Sequence, residues 1–261
     1  MAVKSAERVL RLIDLLAQAG DGLTFSELLE ELGWPRSSLH GLVVTMVEHG
    51  YLTLDAETRR YRIGVRLWEV GQVYVEARDL ERTCRPVMDR ARDTLQETIH
   101  LAVLDGLETV YIAKVEAGQP VTLASRIGGR LPAYCVGLGK AMLAGLSDTE
   151  LERRFDGVRL HPYTDSTITT LADLRTELEE IRSQGYAVDN GEYTPEIWCV
   201  AIPIHDHTGE VVAATSVSIP DMRRKRHGEE KLIRTMIDCG SQMSKLLGYS
   251  ATQRRDGSQS S

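Results

Sequence analysis

An α+β chain in two parts is what this sequence predicts, and three observations carry the reading. Three short amphipathic helices occupy the first fifty residues, a basic hairpin follows directly, and a longer second part interleaves alternating strands with capped helices. The 261 residues exceed what one compact core usually needs, so two domains are expected. Apolar residues at 42% and charged residues at 26% exclude a disordered or fibrous chain. The longest apolar stretches, such as Trp198–Ile204, reach about seven residues, against the roughly 20 that cross a bilayer, so no transmembrane helix is expected. The start of the chain leads into Glu7, Arg8 and Arg11 without an apolar signal core, which points to a cytoplasmic protein with no membrane partner.

Val9, Leu12, Ile13, Leu15, Leu16 and Ala19 recur at helical spacing, predicting a first helix over Ser5–Ala19 that Gly20 and Gly22 end. Thr24 and Glu27 form a capping-box pair opening a second helix, whose stripe is Phe25, Leu28, Leu29 and Leu32 and whose stop is Gly33. Pro35 opens a third, with Leu39, Leu42, Val43, Met46 and Val47 on one side and Arg36, Ser37, Ser38 and His40 crowding its first turns. Tyr51–Leu54, the polar turn Asp55–Thr58 and Arg59–Ile63 read as a hairpin with Arg59, Arg60 and Arg62 on its return strand. Three helices and a basic wing describe a winged helix-turn-helix over residues 1–64, whose third helix enters the major groove while the wing touches backbone. Those residues hold seven bases and nine acids, a balance of −2, so contact with double-stranded DNA has to come from local patches: Arg36, Ser37, Ser38 and His40 on the helix, Arg59, Arg60 and Arg62 on the wing. The plainer alternative is a trihelical domain for protein contacts, its charges a solvated face.

Leu67, Val70, Gly71 and Tyr74 share one helical face, so residues 65–79 read as a linker helix able to pack against a second copy. Beyond it, Thr98–Leu104 and Thr109–Val115 alternate around the turn signal Asp105-Gly106, predicting an antiparallel hairpin. Ser147 and Glu150 repeat the capping-box spacing. A helix over Leu171–Gln184 ends at Gly185, short strands are expected near residues 186–189, 197–205 and 210–219, and a helix over Glu229–Leu247 closes an α+β domain over residues 80–249. Residues 250–261 are polar and Ser/Gln-rich, the composition of a disordered tail.

Cysteines at 84, 135, 199 and 239 show no paired metal or redox spacing, and neither a metal nor a cofactor is expected. Asp189, Cys199, Ser216 and Ser218 supply acceptors, a thiol and two hydroxyls. The serines, two apart on one strand, face the same side and suit a small polar ligand. Ordinary core and turn packing is the alternative. Cys199 and His205 stand six residues apart on one extended strand, roughly 20 Å, too far for a nucleophile and base to meet, so no enzyme is expected. His205 and His207 lack a third metal ligand at suitable spacing. Gly137-Leu-Gly139-Lys140 fails as a phosphate loop, since Tyr134 and Ala141 occupy positions that need Gly and Ser or Thr. The glycines instead allow close ligand approach at a helix start, where the amides of Gly137 and Leu138 suit an anionic group.

Ser5-Ala-Glu-Arg-Val-Leu10, Leu32-Gly-Trp-Pro-Arg-Ser-Ser38, Glu48-His-Gly-Tyr-Leu52 and Arg60-Tyr-Arg-Ile-Gly64 resemble the IclR family of bacterial transcription regulators. The spacing of Gly185, Asp189, Glu192, Cys199, Val200, Ala201, Ile204, His205 and Asp206 is similar to that family's signature, and the resemblance runs from Ser5 to Tyr249. Asp189–Glu192, Cys199–Ile204 and Ser216–Pro220 look most similar to its sugar-acid, 2-keto-3-deoxygluconate repressor-like group. The resemblance implies a GAF-like effector domain and a homodimer or dimer of dimers on operator DNA, repressing a catabolic operon until a small carboxylic-acid or sugar-acid effector releases it. It places effector contacts at Gly137, Leu138, Asp189, Cys199, Ser216 and Ser218, with Leu123, Leu131 and Ile197 as walls. The effector carboxylate is expected on the amides, and Asp189 on ligand hydroxyls, which favours a polyhydroxylated acid. One departure stands out: relatives often carry an arginine in the third helix where this chain has Gly41. That feature alone favours the other reading, a metabolite-binding protein or enzyme with a vestigial DNA-binding domain.

Overall fold

Helical spacing in the first fifty residues does what it predicts. The computed structural model describes residues 3–70, 80–117 and 126–250 and divides into two units, Met1–Asp79 and Leu80–Ser261. In the first, α1 (Lys4–Gln18), α2 (Phe25–Leu32) and α3 (Arg36–Glu48) bury Leu12, Leu16, Leu28, Leu39, Val43 and Met46 around Leu52. The Thr24 hydroxyl accepts the Glu27 amide while the Glu27 carboxylate accepts the Thr24 amide, so both halves of the capping box form. Gly33 ends α2 in the left-handed conformation, at φ 62°. The hairpin is β2 (Leu52–Leu54) against β3 (Arg60–Ile63). An unanticipated short strand, β1 (Leu23–Thr24), pairs with the other edge of β3, so the wing's return strand lies at the centre of a three-stranded sheet. Residues 65–70 begin a helix, α4, with Val65, Trp68 and Val70 exposed; Gly71 and Tyr74 of the proposed linker face lie outside the described residues, as do residues 251–261 of the tail.

The second unit is an antiparallel six-stranded sheet in the order β6-β5-β4-β9-β8-β7. Its strands are β4 (Thr98–Asp105), β5 (Glu108–Val115), β6 (Arg130–Pro132), β7 (Ala187–Asn190), β8 (Ile197–His205) and β9 (Val211–Pro220). α5 (Leu80–Leu95) and α10 (Glu229–Leu246) cover one face, where Met88, Met236 and Met243 meet Ile99, Leu101, Val200 and Val217. α6 (Gly137–Leu143) and α8 (Leu171–Gln184) cover the other, against Ala102, Cys199, Ala201 and Ala214. The small side chains on that second face let α6 approach closely. A Cβ at Gly139 would stand 2.2 Å from the Ala133 carbonyl oxygen, so only glycine fits there. α7 (Asp148–Phe155) and α9 (Asp221–His227) complete the unit. The predicted capping box at Ser147 forms only by half: its hydroxyl accepts the Glu150 amide, but Arg153 and Arg154 take the Glu150 carboxylate.

Candidate DNA-binding surface and effector site

Arg36, Ser37 and His40 stand on the exposed side of α3 because Leu39, Val43 and Met46 take the buried side. Phe25 organises two of them: the Arg36 guanidinium lies 5.2 Å over its ring and the His40 ring meets it edge-on at 6.0 Å. Ser38 is placed differently from expectation. It is half-buried and accepts a 2.6 Å hydrogen bond from Arg8 of α1, whose guanidinium also lies over the Trp34 ring. Nothing lies within 4 Å of where a side chain at Gly41 would begin, so the missing arginine there has no steric cause.

The wing needs a correction. Arg59 is not on the return strand but in the turn before it, exposed and left-handed at φ 55°. Arg60 does not project as a free phosphate contact. It donates to the Gly22 carbonyl at 2.6 Å and to both oxygens of Glu27 at 3.2 Å, tying the wing to the capped start of α2. That bond comes from register: Thr24 pairs with Arg60 across β1 and β3, and Glu27 is already turned back towards Thr24. Arg62, exposed, donates to the Asp21 carbonyl at 3.1 Å and keeps only a 3.9 Å approach to Asp55.

In the second unit, Asp189 and Cys199 are cross-strand neighbours on β7 and β8, and Cys199 pairs in turn with Ser218 on β9. Strand alternation puts them on the α6 face, and together with Gly137, Leu138, Leu131 and Ile197 they line a cavity of about 40 Å³. Tyr111, Val136, Tyr193 and Thr194 complete the lining; none of the four was singled out from sequence. Ser216 is not in the lining. It pairs with Ala201 deeper in the sheet, fully buried, where its hydroxyl makes no hydrogen bond. Leu123 lies outside the described residues.

Burial pushes the Asp189 carboxyl up to about 6, against the Glu192 amide, the Lys140 ammonium and the amides of Gly191 and Gly137, which favour its charge. The Glu192 amide bond measures 2.8 Å. Gly137, whose amide is expected to take the ligand carboxylate, lies beside Asp189: a Cβ there would stand 3.6 Å from the Asp189 Cβ. Burial also pushes the Cys199 thiol up to about 12, so it is a neutral hydrogen-bonding group and no nucleophile.

Lys140, weighed from sequence only as a phosphate-loop lysine, has a different place. It is 1% exposed, inside α6, and its ammonium reaches Glu192 at 2.5 Å and Glu177 of α8 at 2.7 Å. Burial opposes its charge, but the two carboxylates outweigh that and raise it above the ordinary lysine value. Glu192, itself buried, is pushed up to about 7 by burial, with Lys140 opposing. A lysine alone in the apolar run Gly137–Ala144 was the available signal.

Comparison with known proteins follows the same division. The model described as IclR helix-turn-helix domain matches residues 5–56, and that described as Bacterial transcriptional regulator IclR C-terminal matches residues 72–245. HTH-type transcriptional regulator XynR of Escherichia coli K12 is 32% identical over 95% of this chain and 99% of its own length. HTH-type transcriptional regulator KdgR of the same organism is 30% identical over 94% of each. An IclR homologue from Microbacterium hydrocarbonoxydans, solved in complex with 4-hydroxybenzoate, aligns with a TM-score of 0.84 and 25% identity over 94% of this chain and all of that one.

Proposed function

We propose, from the premise that this chain belongs to the IclR family of bacterial transcriptional regulators, that it represses a catabolic operon in the cytoplasm until a small carboxylic acid occupies the cavity at Asp189. It is a DNA-binding regulator of that type. The carrying observation is convergence: Gly137, Leu138, Asp189, Cys199 and Ser218, chosen from separate stretches of sequence, line one cavity. The 4-hydroxybenzoate in a relative supports an acid as the class of effector, and the similarity to KdgR is compatible with the sugar-acid group.

About 40 Å³ is far below the roughly 300 Å³ of an ordinary ligand pocket, so an effector has to open the site. Opening supplies the difference between two states that regulation needs, of which about 5- to 150-fold in operator affinity is the usual size. On this reading residues 1–64 are the DNA-binding domain, 65–79 the linker, 80–249 the effector domain and 250–261 a tail. Exposed Val70, on the expected linker face with Leu67, is compatible with a homodimer or dimer of dimers through the linker, and light scattering that finds a monomer at micromolar concentration refutes that assembly.

The test is a gel shift on the DNA upstream of the coding region, with pyruvate, gluconate and 4-hydroxybenzoate added in turn. A shift reversed by one acid is the expected result. Absence of any shift favours the vestigial-domain reading; a shift that no acid alters refutes the effector class.

A further inference from the structure

Within the acid-effector reading, on which this step rests, we infer that the effector carboxylate binds as a proton-sharing pair with Asp189, so that each acid bound takes up one proton from solvent. The argument is one of charge and place. No Lys, Arg or His lines the cavity among the described residues. Lys140, the buried cation nearby, is held by both Glu177 and Glu192. The one carboxylate in the lining among the described residues, Asp189, is 7% exposed and packs against Gly137, where a Cβ would stand 3.6 Å from its own, and the Gly137 amide is the donor an incoming carboxylate would seek. An acid seated at that amide therefore lies against Asp189, and two carboxylates at one buried donor cannot both be ionised.

The proton has few other places to go. Facing Asp189 are Cys199 from β8, Cys135 from the turn before α6, Tyr111 from β5, Lys140 from α6, and Glu192 and Tyr193 from the loop after β7, with Glu177 of α8 behind Lys140 and His100 of β4 beside Tyr111. Burial pushes the two thiols and the Tyr111 phenol upwards, and holds His100 neutral, down to about 3. Asp189 and Glu192 are the carboxyls raised towards neutrality, and Glu192 is not in the lining. Protonated, Asp189 becomes a donor to the effector carboxylate, so it selects acids by sharing a hydrogen rather than by opposite charge.

The experiment is calorimetric titration of the wild-type protein with 4-hydroxybenzoate, gluconate and pyruvate from pH 6 to 8.5, in two buffers of different ionisation enthalpy. An acid that binds is then compared with its neutral amide. We expect proton uptake to rise from about half a proton per acid at pH 6 to about one above pH 7, where Kd rises about tenfold per pH unit, with no such slope for the amide. Asp189→Asn, neutral at every pH, should flatten the slope and bind the acid at least tenfold more tightly than wild type at pH 8. Acid binding with constant affinity and no proton uptake overturns this inference and leaves the acid-effector reading intact, as does a slope that survives in Asp189→Asn. Binding of no acid at any pH sinks both.

Discussion

Replacing Lys140 by Met tests whether the buried charges of α6 hold the effector unit together. The ammonium is 1% exposed and lies within 2.7 Å of both Glu177 and Glu192. Met keeps the stem and removes the charge, leaving Glu192 with one oxygen that already lacks a hydrogen bond and another that has lost its partner. Breaking such a pair from one side costs about 3–5 kcal/mol. Glu192 can escape by taking a proton, and this fixes the pH dependence. Its folded value, about 7 with Lys140 opposing, lies above the unfolded one and climbs further once the opposition goes. A raised carboxyl contributes stability that is present at low pH and lost as pH rises through the folded value. Wild type completes that loss near pH 7, whereas the variant continues losing up to its own higher value, by up to about 1.4 kcal/mol per pH unit for one proton. Urea denaturation at pH 6 and pH 8 should therefore show a deficit larger by up to about 1.4 kcal/mol at the higher pH, one pH unit above the wild-type value, and Glu192→Gln added to Lys140→Met should recover most of that increase. A deficit below about 1 kcal/mol, or one equal at both pH values, refutes the reasoning.

Arg60→Ala should lower the melting temperature through loss of the Glu27 and Gly22 contacts, with the salt slope of DNA binding unchanged, whereas Arg59→Ala should leave stability alone and reduce that slope by about one unit. Salt titrations of the two variants decide this, and a reduced slope for Arg60→Ala restores it as a phosphate contact. Gly139→Ala should destabilise by at least about 2 kcal/mol, since its Cβ meets Ala133 backbone at 2.2 Å, while Gly41→Ala, in open space within α3, should stabilise by about 0.5–1 kcal/mol. Denaturation midpoints that rank the two glycines the other way contradict the packing described for α6.

What sequence periodicity reaches is the order of elements and the face each one buries. Leu12, Leu28 and Leu39 follow from helical spacing, and β4, β5, β8 and β9 follow from alternation and turn residues, because those signals are local. Strands of two or three residues without a hairpin turn beside them leave too short a trace, so β1 and β6 went unseen while β2 was found by its turn, and β1 changes the wing. It moves β3 from an edge to the centre of its sheet and sets Thr24 opposite Arg60, turning an expected phosphate ligand into a brace. An arginine on a strand reads the same in sequence whether it faces solvent or a glutamate 33 positions earlier.

The effector cavity divides along the same line. Asp189, Cys199 and Ser218 are spaced in sequence as they are in the sheet, so strand alternation plus the family signature brings them together. Lys140 and its partners are separated by 37 and 52 residues and share no element, and no local pattern links them. Composition still carries a trace, because a fully buried ammonium has to be neutralised and needs carboxylates from elsewhere in the fold. The signature glutamate Glu192 is one of them, and its amide also holds the Asp189 carboxylate, so the charge that keeps α6 against α8 and the group that faces the effector meet at one residue. On the proposed reading, an effector that changes the proton on Asp189 would act through Glu192 on the bonds that position α6, and so bias the shape of that unit.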